Sequence, residues 1–514
     1  MLISIILIFV FILTALFYYN AVKPMNYWKK RGVIQSDPVW LLGDQWKQVF
    51  GLESIVDMFT RLYNLSPNAR YCGIYQFTTP ALMIRDTKLL KLITVKDFDH
   101  FMNHKPLIPD GADPLWNKNI FALKDHRWKS VRPILTPSFT SSKMKSMFIF
   151  MSDCAQNFVN YFLKERGNGD VIDVCMKDIS SRFSNDVIAS TTFGLQVDSF
   201  KDPDNEFYYR CKDITNFATP WRIIKMLGFA TVPRLFKFFD VKFFDSESRQ
   251  FFINIVKNSI KMRKEHDVDR HDMLHLLLEA KKEVEQKKKQ GLDIEEITDE
   301  DITAHAMINF FAGFESISTL MTFMSYELAI HPDIQNRLRE EIDEGFQQCN
   351  GKLTYEVLMK MPYLEMVISE TLRKWPNFPE AHRVCTKKYV IEPEYPDENP
   401  LVIEEGTAIL LPVFPIQRDP KYFPDPDRFD PERFSEDNKN ARDFYCYMPF
   451  GLGPRNCIGA RFANLEAKVY FAYVLHSFEI VPTAKTVIPV KLSNQNFNVH
   501  AEDGINVGLK PLYK

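Results

Sequence analysis

The order of apolar and polar positions divides the chain into a short apolar head and a long mixed body. Leu2 to Tyr19 carries no charge and is almost wholly aliphatic or aromatic, long enough as a helix to cross a hydrocarbon layer of about 30 Å. Lys23, Lys29, Lys30 and Arg31 follow it. No basic stretch precedes the run and no small-residue cleavage site closes it, so residues 1–22 are expected to stay as a transmembrane anchor with the remainder cytosolic. Residues 23–43 read as a basic flank and linker with a turn at Ser36-Asp37-Pro38, and 44–514 as one folded body.

Within the body, Tyr71 to Gln76 and Ala81 to Arg85 read as short strands. From Phe98 to Trp116, Pro106, Pro109, Gly111 and Pro114 break any regular helix, and a loop so rich in apolar residues is expected to cover something apolar. Phe217 to Phe244 is apolar but interrupted by Lys225, Arg234, Lys237 and Lys242. It suits either a dip into a bilayer interface or a helix pair over the core. Lys281 to Asp301 is a run of mixed charge, read as a solvated helix or connector. Thr298 with Asp301 forms a capping-box start, and no Pro intervenes before His331-Pro332, so one helix of about thirty residues, near 45 Å, is predicted. Another is predicted from Ala460 to Val469, whose apolar residues recur at helical spacing.

Composition adds bounds rather than a fold. With 46% hydrophobic residues in 514 the chain buries a large core, and 64 basic against 66 acidic residues give no sign of a nucleic-acid partner. Cys72, Cys154, Cys175, Cys211, Cys349, Cys385, Cys446 and Cys457 follow no repeating spacing, which suits free thiols in a reducing compartment rather than a disulfide framework.

The chemistry gathers at Phe450-Gly451-Leu452-Gly453-Pro454-Arg455-Asn456-Cys457-Ile458-Gly459. Glycines allow positive φ there, Pro454 stiffens the turn, and Cys457 falls at a helix start where N–H groups favour a thiolate. A lone thiolate is a poor zinc site but a fitting ligand for haem iron.

This run resembles the haem-binding loop of the cytochromes P-450, matching Phe-x-x-Gly-x-Arg-x-Cys-x-Gly throughout. The resemblance implies a mainly α-helical fold, one large helical domain with a small β-rich region behind the anchor. Haem b would lie between the long central helix and the cysteine loop, with Cys457 as axial ligand and Phe450 beside it. Trp128 and Arg132 lie four apart on one helical face, where an indole and a guanidinium can reach one anion; by resemblance they contact a haem propionate, joined by Arg383 and Arg455. Ala312-Gly313-Phe314-Glu315-Ser316 resembles the oxygen-activation motif, which makes Glu315 and Ser316 the catalytic pair that orders water and delivers protons on the distal haem face. Ser316 stands where Thr is usual, so its rotamer is freer, and Ser318 and Thr319 are alternative hydroxyls. Glu370, Arg373 and Arg433 are implied to form a buried charge network under the cysteine loop. Gln417 stands where His is frequent and is given little weight.

The implied function is a monooxygenase that inserts one oxygen atom from dioxygen into lipophilic small molecules. Its electrons would come from NADPH through a separate reductase, since no nucleotide fingerprint is visible, with cytochrome b5 as a further partner. Lys124, Arg127, Lys129, Lys143 and Lys145 are expected to form a basic docking rim for that reductase. The closest likeness is to insect microsomal enzymes of the endoplasmic reticulum that oxidise foreign compounds, with Phe310, Phe311, Phe314 and the 101–116 loop around the substrate. Two alternatives stand beside it: a haem-thiolate isomerase or dehydratase of hydroperoxides, and a haem-loaded protein that sequesters ligands without turnover.

Overall fold

The computed structural model describes residues 2–165, 171–217, 219–266, 270–291, 294–396, 398–439, 443–496 and 498–512. At its head, α1 (Leu2–Phe17) holds α-helical bonding for 16 residues, about 24 Å. The ladder then widens to π spacing over Tyr18–Val22 and tightens to 3-10 spacing over Lys23–Asn26. Pro24 has no N–H and crowds the turn before it, which explains a change of register at this point. No helix among the described residues is long and apolar enough to cross a membrane, and the spanning helix expected over residues 1–22 is not among them.

The stretch read as a flank and linker lies against the body. Trp28 is fully buried, and a Cβ on Gly73 would fall 2.4 Å from its indole, so only glycine admits the ring. Ser36 N–H donates to Gly73 O and Gly73 N–H to Ile34 O, at 3.1 and 2.8 Å. β1 (Tyr71–Gln76) and β2 (Thr79–Ile84) form a hairpin on this support.

Next come α2 (Asp125–Leu135), α3 (Ser141–Glu165), β3 (Ile172–Cys175) and α4 (Met176–Ile188). The apolar stretch from residue 217 to 244 forms two short helices, α5 (Pro220–Thr231) and α6 (Pro233–Phe238). α7 (Asp299–Ile330) is the predicted long helix: the Thr298 hydroxyl caps the Asp301 N–H and the Asp301 carboxylate caps Thr298 in return. α8 (Pro362–Lys374) starts on a proline, where a missing N–H does no harm. β4 (Ala381–Val384) and β5 (Ala408–Leu411) complete a sheet of order β1-β2-β5-β4, in which β2 and β5 run parallel with Ala81 opposite Ala408. α9 (Ala460–Ser477) leads into β6 (Phe478–Val481), and β7 (Asn506–Pro511) joins β3 to β6 in a second sheet.

The fold is thus mainly helical with small sheets at its margins. α7 is buried over most of its length and packs against α4, α8 and α9, while α9 also packs on α3. A helix so enclosed can be apolar on every side, and the helix that follows the cysteine lies beside it.

Candidate active site

The cysteine loop is held from both sides. Cys457 N–H donates to Phe450 O at 2.8 Å and Asn456 N–H to Gly453 O at 3.0 Å. Gly451 and Gly453 lie at φ 74° and 71°, and a Cβ on Gly453 would sit 1.8 Å from the Thr94 carbonyl oxygen, so the loop rests on that neighbouring turn only because no side chain intervenes. α9 has Gly459 as its N-cap, which places Cys457 just ahead of the helix. The Gly459 N–H and Arg132 both favour the thiolate, yet burial outweighs them and pushes the thiol up. The N–H support expected at the helix start is present, and desolvation is the larger influence. Cys457 is enclosed by protein and still solvent-accessible, which describes a side chain at the wall of an internal recess.

Three guanidiniums stand around this loop. Arg132 Nη2 donates to Asn456 O and Oδ1, at 3.0 and 3.2 Å. Arg383, positioned by β4, donates to His382 O at 2.8 Å and Leu452 O at 3.0 Å, and its buried Nε has no partner. Arg455 donates to Met102 O, Ile120 O and Leu123 O, and its guanidinium lies 4.2 Å over the Trp128 ring. All three bond neutral groups, and none enters an ion pair among the described residues. Burial lowers Arg383 to about 10; burial, then repulsion from Arg383 and Arg132, lowers Arg455 to about 9; burial lowers Arg132. Nothing in the sequence pattern marks His104, yet it belongs here. Its ring stacks on Phe121 at 4.8 Å and is held neutral by burial and by Arg383. Guanidiniums that repel one another and enter no ion pair among the described residues form a preset receptor for carboxylates, and beside an accessible thiol they fit a haem with its two propionates.

On α7 the buried run opens at Ala312, which is exposed, and at Ser316, which is half-buried. A Cβ on Gly313 would meet Ile188 Cδ1 at 2.9 Å, so the close approach of α4 accounts for the glycine. Ser316 Oγ donates to Ala312 O at 2.6 Å. Glu315 points elsewhere, its Oε1 accepting from Lys177 Nζ at 2.9 Å and Asn498 Nδ2 at 3.2 Å. The hydroxyls of Ser318 and Thr319 also accept from Lys177; both residues are buried, on Glu315's side rather than with Ser316. Neighbouring residues on a helix are about 100° apart, which separates acid from alcohol. Lys177 lies in no recognisable motif and was missed.

The 98–116 loop is irregular, as its prolines demand. Trp116 packs edge-on to Phe311 at 5.3 Å and lines a cavity of about 10 Å³ with His104, Ile108 and Phe121.

Below the cysteine loop, Glu370 and Arg373 are fully buried and joined twice, Nε to Oε2 at 2.7 Å and Nη2 to Oε1 at 2.9 Å. Arg433 Nε approaches Glu370 at 3.5 Å. Gln417 matters more than its sequence context suggested. Its Nε2 donates to Leu372 O and Arg373 O while its Oε1 accepts from Met448 N–H at 2.9 Å, so one buried amide ties α8 to the segment entering the cysteine loop.

The basic rim is internally neutralised. Lys124 pairs with Asp110, Arg127 with Glu295 and Asp301, Lys129 with Asp99, Lys143 with Glu279 and Lys145 with Glu356.

Residues 38–505 match the family described as Cytochrome P450. Cytochrome P450 9e2 of Blattella germanica is 40% identical over 94% of this chain and 94% of its own. Probable cytochrome P450 9f2 of Drosophila melanogaster is 39% identical over 97% of each chain, and cytochrome P450 6k1 of Blattella germanica 35% identical over 96% of this chain and 94% of its own.

Proposed function

The chain belongs to the cytochrome P450 family, and from that premise we propose that Cys457 is the axial thiolate of its haem, with Arg132, Arg383, Arg455 and Trp128 receiving the propionates and Phe450 flanking the sulfur. As a member it is a haem-thiolate monooxygenase that oxidises lipophilic small molecules, with electrons drawn from NADPH through a reductase. The observation that carries the residue assignment is an enclosed yet accessible thiol set among three guanidiniums bonded to neutral groups.

When bound, the haem supplies the dioxygen-activating and electron-accepting chemistry that no side chain here possesses. The chain's own residues supply position and protons. The Gly459 N–H supports the sulfur, and guanidiniums clamp carboxylates in a fixed plane. Trp116, Phe310 and Phe311 keep water from the apolar side. Ser316 offers its Oγ–H on one side of the helix, while the Glu315 carboxylate, held by Lys177, faces the other, so passage of a proton between them needs a bridging water.

Residues 44–514 are assigned as the catalytic domain and 1–22 as a membrane anchor at the endoplasmic reticulum. The exposed apolar side chains of α1 from Ile6 to Ile12 support that anchor, as do those of α5 and α6 for a second contact. The apolar lining supports lipophilic foreign compounds as substrates. A microsomal NADPH–cytochrome P-450 reductase and cytochrome b5 are the proposed partners; the paired rim implies that docking there exchanges existing ion pairs instead of meeting bare positive charge.

The test is the absorption spectrum of the reduced, carbon-monoxide-bound protein. Wild type should show the thiolate-type Soret band and Cys457→Ser should lose it; the band persisting in the variant would overturn the assignment.

A further inference from the structure

Glu315 is the inner end of a longer polar chain. Lys177, from the first turn of α4, spends its three ammonium protons on Glu315 Oε1 at 2.9 Å, Ser318 Oγ at 2.8 Å and Thr319 Oγ1 at 3.0 Å. Asn498 gives the same carboxylate oxygen a second donor at 3.2 Å. Oε1 therefore has two donors, and Oε2 accepts no hydrogen bond among the described residues.

Beyond Lys177 lies a cavity of about 10 Å³, room for one water, walled by Lys177, Thr319, Thr322 and His500. His500 is half-buried, so its ring touches both this cavity and the solvent side. The charged groups that face it are Lys177 from α4 and Glu315 from α7. A titratable ring thus stands at a water-sized cavity that Lys177, the hydrogen-bond partner of Glu315, also lines.

We propose that His500 is the outer station through which solvent protons reach Glu315, with Lys177 and Asn498 as the residues that hold the carboxylate in place. The inference rests on the reading of Glu315 as a proton carrier. In the step, an imidazolium N–H bond breaks as the cavity water gains that proton, the water passes one of its own to Lys177 Nζ, and Lys177 releases to the Glu315 carboxylate the proton it already donates to Oε1, forming a carboxyl O–H. The ring, now neutral, regains a proton from bulk solvent, so no other reactant is consumed. Lys177 ends the step charged, as it began. Burial and the Lys177 charge hold His500 below the ordinary histidine range, so the imidazolium, once formed, gives up its proton more readily than an exposed one.

Full-length holoenzymes of wild type, His500→Gln, His500→Asn and Glu315→Gln should be compared for product formed per NADPH, peroxide released, and the solvent isotope effect from about pH 6 to 8.5. Both His500 variants should keep full haem content and the thiolate spectrum, while product per NADPH falls by about twofold or more. The deficit should be largest at the acid end and narrow with rising pH, as the wild-type ring loses its proton. Wild-type coupling and an unaltered pH profile in a haem-replete His500 variant would overturn the proposal. If Glu315→Gln uncouples turnover and the His500 variants do not, the outer station alone is lost; if Glu315→Gln is itself without effect, the reading of Glu315 fails first.

Discussion

At the scale of single residues, spacing identifies which side chains are chemical but not which way they point. Glu315 and Ser316 are adjacent in the chain, yet one meets Lys177 and the other bonds Ala312 O within its own helix. Ser316→Ala should raise peroxide released per product while lowering turnover by up to about 10²-fold, the lower end of what a positioned proton donor contributes; unchanged coupling in a haem-replete variant would remove Ser316 from the relay. Cys457 stands out in the sequence because five fixed positions in a run of ten share one spacing, whereas His104 and Lys177 do not, since each acts through a partner hundreds or scores of positions away. Glu466 is a further case that no local pattern reveals. It is fully buried on α9, and burial raises its carboxyl from 4.5 to about 8, with only the Ser184 hydroxyl favouring the charge. The acid is neutral when folded and ionised when unfolded between those values, so the folded state binds the extra proton. Stability from this group is full below about pH 4.5 and declines as pH rises towards 8, by roughly 1.4 kcal/mol per unit. Thermal unfolding of wild type should show this decline and Glu466→Gln should flatten it; parallel profiles would show that Glu466 does not titrate on unfolding.

At the scale of elements, local signals placed the long helix well and left the tertiary bridges unseen. Thr298 and Asp301 announce where α7 begins because capping is a contact between residues three apart. Gln417 offers no such signal. Its three partners, Leu372 O, Arg373 O and Met448 N–H, lie 31 to 45 positions away, and they convert a short helix-turn residue into the clasp between α8 and the cysteine loop. Gln417→Leu would leave those backbone groups buried without partners, at about 1–3 kcal/mol for each. The expected outcome is a clear drop in thermal stability together with a lower haem-to-protein ratio, both read on purified protein. Haem loading equal to wild type would mean that the Glu370–Arg373 pair supports the loop without this clasp. The same reasoning explains why the Glu-x-x-Arg spacing was informative only in context: the pair works because Asp430 N–H and Arg433 also converge on Glu370.

At the scale of the whole molecule, large apolar side chains are exposed on α5 and α6 as well as on α1, so the proposed membrane contact would extend beyond the head. The mainly helical class and the order of motifs were legible. The docking of Trp28 beneath Gly73 was not, because a tryptophan in a basic flank looks like a linker residue until a glycine strand is placed over it. That docking ties α1 closely to the body, and Phe17 of α1 reaches Trp40 at a ring separation of 6.0 Å. On α5 and α6, Trp221, Leu235 and Phe238 are exposed, Phe238 by 80%, and Phe239 follows directly. Burial of a single large apolar side chain contributes about 1.5–3 kcal/mol, so three aromatics entering an interface are sufficient for measurable binding without any spanning segment. A chain lacking residues 2–22 should therefore still sediment in part with phosphatidylcholine vesicles. Replacing Trp221, Phe238 and Phe239 together by Ser in that chain should lower its partition by about tenfold or more, with the carbon-monoxide spectrum unchanged to show an intact fold. If the shortened chain stays wholly in the supernatant before any of the three is replaced, the exposed face of α5 and α6 does not serve as a membrane contact, and α1 alone must carry the attachment.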